Sequence, residues 1–220
     1  MSQMGATAFT QLKTKTPVTQ NPKASAYVQC VSKALTDVVG GSWEIQTFES
    51  KDVNAFALPG GKIGVYTGLL KVATTQDQLA AVVGHEITHV LAGHSAARVS
   101  NQMAAQLGAA VVAAGTGMSP EMIGTGANYL LILPNSRGDE TESDVLGMQL
   151  MARAGFNPNA AITLWQNMAK ASGGQAPPEF ASTHPSNQTR IQDLQRDLPK
   201  AMPLYEQARA AGKKPNCGAP

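Results

Sequence analysis

The stretch TTQDQLAAVVGHEITHVLAGH, residues Thr74 to His94, decides how this 220-residue chain is read. Thr75 followed by Gln78 forms a capping-box start, and Leu79, Val82, Val83, Ile87, Val90 and Leu91 then recur at helical spacing. Inside that helix stands His85-Glu86-Ile87-Thr88-His89. Residues four apart lie one turn above each other on one face, so the two imidazoles can share a metal ion while Glu86 projects beside it. Chance supplies such a motif in roughly one chain in a hundred of this length, and helical geometry narrows the field further. At about 100° per residue, His85 and His89 fall away from the apolar stripe and Glu86 at its edge, so the histidines face a partner other than the core. His94 falls inside the stripe and reads as a structural histidine near the helix end. The pattern HExxHxxGxxH would need its third histidine at Ser95 and is excluded.

A catalytic zinc site takes three protein ligands and keeps one position open. Downstream, SRGDETESD spans Ser136 to Asp144 and holds Glu140 and Asp144 at helical spacing. Glu140 supplies an oxygen ligand, and Asp144, one turn on, can hold a ligand histidine by its second nitrogen. Alone, acidic residues in a first turn only complement the helix dipole; beside an HExxH the ligand reading prevails. Glu142, about 200° around from Glu140 on the same wheel, is expected in solvent.

Outward from this centre, residues 1–21 are polar and read as an extended or mobile N-terminal arm. Residues 22–212 form a single domain and 213–220 a C-terminal tail. A helix is expected from Lys23 to Val39, then a strand through Trp43, Ile45 and Thr47. Asn54–Leu58 and Lys62–Thr67 read as two strands joined by Pro59-Gly60-Gly61. Arg98 to Leu133 reads as one or two helices broken near Ser119-Pro120, and Asp139 to Ala154 as a helix ended by Gly155. Another runs from Pro158 to Gly173-Gly174. A proline-bearing loop from Gln175 to Pro185 then leads into two last helices, Ser186–Leu198 and Met202–Ala211.

Composition narrows the function. The chain is 43% hydrophobic and 15% charged with a formal charge of +2, and its longest basic run is Lys213-Lys214, a poor footprint for nucleic acid. No apolar stretch approaches the roughly 20 residues of a membrane-spanning helix; Leu107 to Gly117 is cut by Gly108, Gly115 and Thr116. The first 20 residues carry no secretory signal. No GxSxG exists, and neither cysteine has a nucleophile's context. Cys30 and Cys217 form no CxxC motif, and two readings stay open: one disulfide closing almost the whole chain, or two unrelated thiols.

The string from Lys51 to His94, with SRGDETESD, GMQLMARAGFNP (Gly147 to Pro158) and STHPSNQTRI (Ser182 to Ile191), resembles the HtpX/BepA/LoiP-type gluzincin zinc metallopeptidases, the family that also contains the CAAX prenyl endopeptidase. The likeness runs in order from about Val28 to Leu198 and departs at Ser143, where that family has Ala. It implies an α+β, mostly helical, zincin-like domain with a small antiparallel sheet and an HExxH active-site helix. It implies one Zn2+ on His85, His89 and Glu140, Glu86 as general base, and Asp144 behind the ligands. His184 of the His-Pro element is then a catalytic group or a fourth metal ligand, with a rigid turn as its plain alternative. Arg190 takes a transition-state or a structural role. Asn54, Ala55 and Phe56 form an edge strand to which an extended peptide can pair. The implied activity is endopeptidase cleavage of extended or misfolded polypeptide in envelope quality control, with outer-membrane proteins or assembly machinery as partners. The rival is a protease-like chaperone whose zinc stays capped. The resemblance places the protein in the Gram-negative periplasm or at its outer membrane, as a lipoprotein or exported protein that has lost its signal. In such an oxidising compartment Cys30 and Cys217 are expected to be joined.

Overall fold

A computed structural model of the chain describes residues 1–107, 120–171, 183–184 and 189–220. The expected break before Pro120, the Gly173-Gly174 stop, the Pro177-Pro178 loop, Pro185 and the helix start at Ser186 lie outside these residues. Among the described residues the elements run α1 (Ser2–Lys15), α2 (Pro22–Val39), β1 (Glu44–Phe48), β2 (Ala55–Leu58), β3 (Lys62–Tyr66), a 3-10 turn (Thr67–Lys71), α3 (Gln76–Leu91), α4 (His94–Leu107), α5 (Pro120–Ile132), α6 (Arg137–Arg153), α7 (Asn159–Ala171) and α8 (Arg190–Ala210). The architecture is α+β and mostly helical.

The axis of the fold is α3. Thr75 accepts a hydrogen bond from Gln78 N, and the Gln78 side chain returns one turn to accept from Thr74 N at 2.8 Å. Every residue from Gln78 to His89 is buried, because α3 is enclosed by α2, α4, α6, α7 and β2. A helix enclosed on all sides has no solvent face, so the side opposite the apolar stripe is free to carry the histidines into a second, polar interior.

The three strands lie in the order β1-β3-β2. The sheet is mixed, not antiparallel: β2 pairs antiparallel with β3, while β1 pairs parallel with it, Glu44 opposite Lys62 and Phe48 opposite Tyr66. The chain reverses after β1 and again at the Gly60-Gly61 turn, where both glycines have positive φ, so β3 runs the same way as β1. Residue alternation shows which faces are buried and is silent on this direction. The order leaves β2 at an edge, beside α3.

Residues 1–21 are not an extended arm. Met4, Ala8, Phe9 and Leu12 of α1 are buried, a four-residue-spaced stripe hidden among Thr, Gln and Lys. They join Phe48, Leu58, Tyr66, Val99, Ala127 and Leu130 in a second core, with the Phe9 and Phe48 rings edge to face at 5.9 Å. The expected pair of C-terminal helices is one, α8, with Pro199 and Pro203 inside it. Each proline removes one backbone hydrogen bond, and packing of Leu194, Ala201 and Ala208 into the interior keeps the helix continuous. The tail at 213–220 is tied down: Gln76 donates to Pro215 O at 2.9 Å and accepts from Cys217 N at 2.8 Å.

Candidate metal centre and substrate cleft

From α3, His85 Nε2 and His89 Nε2 meet at 3.0 Å. The first turn of α6 brings Glu140 against them, Oε2 3.3 Å from His85 Nε2 and Oε1 3.2 Å from His89 Nε2. His184 closes the group, its Nδ1 3.0 Å from Glu140 Oε1 and 3.3 Å from His85 Nε2. One atom from each of these four buried residues lies within 4.8 Å of all the others. A tetrahedral zinc with bonds of about 2.0–2.1 Å sets its ligand atoms about 3.3 Å apart, so the donor set fits that ion.

The outward nitrogens point the same way. His85 Nδ1 lies 3.0 Å from Asp144 Oδ1. His89 Nδ1 faces His94 Nδ1 at 3.0 Å, and His94 Nε2 faces Glu142 Oε2 at 3.2 Å. With the Nε2 proton of His94 given to Glu142, its Nδ1 accepts from His89. In those tautomers the inner nitrogens of both α3 imidazoles face the donor cluster, where a metal ion would take up their lone pairs. Charge follows this layout. Burial opposes a charge on His85, but Glu140 and Asp144 outweigh it and push the imidazole up to about 9. Burial and the neighbouring His85 push His89 down to about 3. Burial also works against an ionised Glu140, yet the surrounding histidines hold it well below the usual carboxylate range.

Arg190, at the start of α8, braces the centre from behind. Its Nε and Nη2 grip Asp144, with Nη2 2.9 Å from Asp144 Oδ1 and 2.9 Å from Glu140 Oε2. Its guanidinium lies 3.6 Å from the centre of the Trp165 ring. It does not line the cleft that opens on the other side of the histidines.

That cleft, a cavity of about 180 Å³, runs between edge strand β2 and the end of α5. Asn54, Ala55 and Phe56 form one wall, Leu130 and Leu133 another, and Glu86 and His184 face its interior. Glu86 is 3% exposed and burial pushes its carboxyl up. His184 Nε2 approaches Glu86 Oε1 at 3.3 Å, a contact without the alignment of a hydrogen bond.

The residues singled out from sequence thus gather in one place: His85, His89, Glu140 and His184 as a donor cluster, Asp144 and Arg190 behind it, Glu86 and the Asn54–Phe56 segment on the cleft. Cys30 and Cys217 are joined in a disulfide between α2 and the tail. Four participants escaped sequence reasoning. His94 supports His89 and does not lie in the apolar stripe, because Gly93 at φ 76° ends α3 and voids the wheel beyond it. Glu142, though half exposed, is tied to that histidine. Asn135 and Arg98 line the cleft; the periodicity around them carried no signal for either.

A buried His-His-Glu donor set on an HExxH helix, with a glutamate beside it and an edge strand alongside, is the site of a zincin-class metallopeptidase fold. The chain belongs to peptidase family M48, whose sequence model matches residues 21–197; that family is zinc-dependent. The chain is 42% identical to the mitochondrial metalloendopeptidase OMA1 of Schizosaccharomyces pombe over 180 residues, 80% of this chain and 53% of that protein. It is 36% identical to the OMA1 of Saccharomyces cerevisiae over 190 residues, 81% and 53% of the two chains. It is 26% identical to the β-barrel assembly-enhancing protease of Escherichia coli over 220 residues, 94% and 45%. The chain spans about half the length of the curated relatives it matches. These matches correct the expected Gram-negative periplasmic, lipoprotein setting: the relatives of higher identity are named mitochondrial. No helix among the described residues is long and apolar enough to cross a membrane.

Proposed function

We propose that this chain is the catalytic domain of a zinc-dependent endopeptidase that cleaves extended polypeptide segments in protein quality control. One observation carries the reading: His89 and His184 of the donor cluster and the buried carboxylate of Glu86 line the same cleft as edge strand β2. His85, His89 and Glu140 would hold the metal. Zinc bound there supplies Lewis-acid polarisation of water and of the scissile carbonyl. β2 offers backbone N–H and C=O groups to an extended substrate strand, which selects little by side chain. Glu86 takes a proton from the attacking water and passes it to the departing amine; its raised pKa suits both halves of that task. Asp144 and His94 fix the imidazoles, and Arg190 fixes Asp144 and Glu140. For outer-membrane clients or assembly machinery, the support is the name of the E. coli relative alone.

His184 favours a second element of this reading, a centre capped at rest. Its Nδ1 completes the donor set and its Nε2 stands over Glu86, so it must withdraw before substrate engages. The test is metal analysis with cleavage of casein by wild type and Glu86→Gln. One zinc in both proteins and cleavage only by the wild type support the endopeptidase; no cleavage by either, with zinc present, favours the capped chaperone.

A further inference from the structure

Asn135 sits in the turn between α5 and α6, held by Pro134 before it and by the Ser136-Asp139 capping box after it. Its backbone N–H donates to Thr183 O at 2.9 Å, which ties this turn to the segment bearing His184. The side chain is 5% exposed and reaches the donor cluster: Nδ2 is 3.1 Å from His184 Nδ1 and 3.4 Å from His89 Nε2. Its Oδ1 is buried and finds no hydrogen-bond partner among the described residues. A half-satisfied amide in a protein interior is costly and calls for an explanation, and folding alone supplies none here.

The positions do. When His184 withdraws, Nδ2 faces the place its Nδ1 has left, about 3 Å away, and a substrate oxygen entering there takes over as acceptor. Effective oxyanion donors stand about 2.7–3.1 Å from the atom that gains charge. We infer that Asn135 is a catalytic residue whose side-chain N–H donates to the oxygen that becomes negative when water adds to the scissile carbonyl. The donor is neutral and preorganised: no proton is transferred through it, the proton of water goes to Glu86 and then to the amine, and the C–N bond breaks as the carbonyl re-forms. The unpaired Oδ1 remains available for a substrate N–H.

This inference rests on the endopeptidase reading, and the experiment separates the two. Asn135→Ala and the near-isosteric Asn135→Leu are each made with His184 intact and with His184→Ala. Zinc content, thermal midpoint, kcat, KM and affinity for a phosphinic peptide, which mimics the tetrahedral oxygen, are measured for all. The expected result is kcat lower by about 10²–10³-fold, KM within a few-fold, one zinc retained, and phosphinic-peptide binding weakened in step with kcat, in both backgrounds. A loss confined to proteins that keep His184, or a gain in turnover, shows that Asn135 serves the cap and overturns the inference. So do unchanged kcat and phosphinic-peptide binding, or loss of zinc in both variants, which makes the residue structural. Should wild type fail to cleave, or Glu86→Gln cleave as well as wild type, the endopeptidase reading itself falls.

Discussion

Gly147 on α6 lies directly against Gly84 on α3. A Cβ added to Gly147 would stand 2.7 Å from His85 N, and one added to Gly84 would stand 3.0 Å from Gly147 O. The two helices therefore touch backbone to backbone one residue before the HExxH motif. That approach sets how far Glu140, two turns earlier on α6, reaches toward the imidazoles. Gly147→Ala is expected to cost about 1–3 kcal/mol, the range for overpacking a filled interior, and to weaken zinc binding as the helices part. Thermal melts with and without zinc, and zinc titration, check this; an unchanged midpoint and unchanged affinity would place the contact elsewhere.

His89→Ala is expected to abolish stoichiometric zinc, because it removes a donor and leaves Glu140 facing an incomplete set. Glu86→Gln is expected to keep one zinc and lose proteolysis, since Glu86 handles protons and lies outside the four-donor group. Metal analysis of the purified variants beside a cleavage assay decides both. Full occupancy in the first, or wild-type turnover in the second, would reassign the residue.

Local periodicity made much of this legible. The helix carrying His85 and His89, the hairpin at Gly60-Gly61 and the α6 turn with Glu140 and Asp144 each announce themselves within a few residues of sequence. What stayed hidden depends on tertiary packing or on breaks in the pattern. The apolar stripe of α1 is diluted by Thr and Gln and is resolved only by the second core it fills. The sequence reads as two helices parted between Leu198 and Met202, yet α8 runs through Pro199 and Pro203 because its buried face outweighs two lost hydrogen bonds. His94 follows Gly93 and Asn135 follows Pro134, positions at which helical spacing no longer says where a side chain points.

Phe9 is 2% exposed and meets the rings of Phe48 and Phe56. Phe9→Ala is expected to destabilise the domain by about 3–5 kcal/mol, as for other buried aromatics. The effect should extend to the active cleft, because Leu12 on the same face of α1 lines it. Denaturant unfolding measures the first and KM for a peptide substrate the second. A loss under about 1 kcal/mol would return α1 to the status of a dispensable arm.

The Cys30–Cys217 bond closes a loop across 187 positions. Its removal by Cys30→Ser with Cys217→Ser is expected to cost about 2–5 kcal/mol. Because Gln76 also holds the tail through Pro215 and Cys217, the last residues should stay docked at low temperature and fray on heating. Limited proteolysis across a temperature series would show cleavage near the C-terminus preceding global unfolding. Simultaneous loss of both would show that the disulfide alone retains the tail.

His184 is placed to restrain the enzyme twice over. Its Nδ1 fills the donor position that substrate needs, and its Nε2 stands 3.3 Å from the carboxylate of Glu86, the proposed base. An imidazole there competes with any incoming carbonyl, and the contacts to Glu140, His85 and Asn135 must all break before it leaves. His184→Ala removes those contacts while sparing the three remaining donors. The expected outcome is one retained zinc, weakened no more than about tenfold in affinity, with peptidase turnover several-fold above wild type. His184→Gln, which keeps a polar side chain too short to reach both Glu140 and Glu86, should fall between the two. Turnover below wild type with zinc still bound would instead place His184 on the substrate during the reaction. Turnover equal to wild type would leave it a structural role alone.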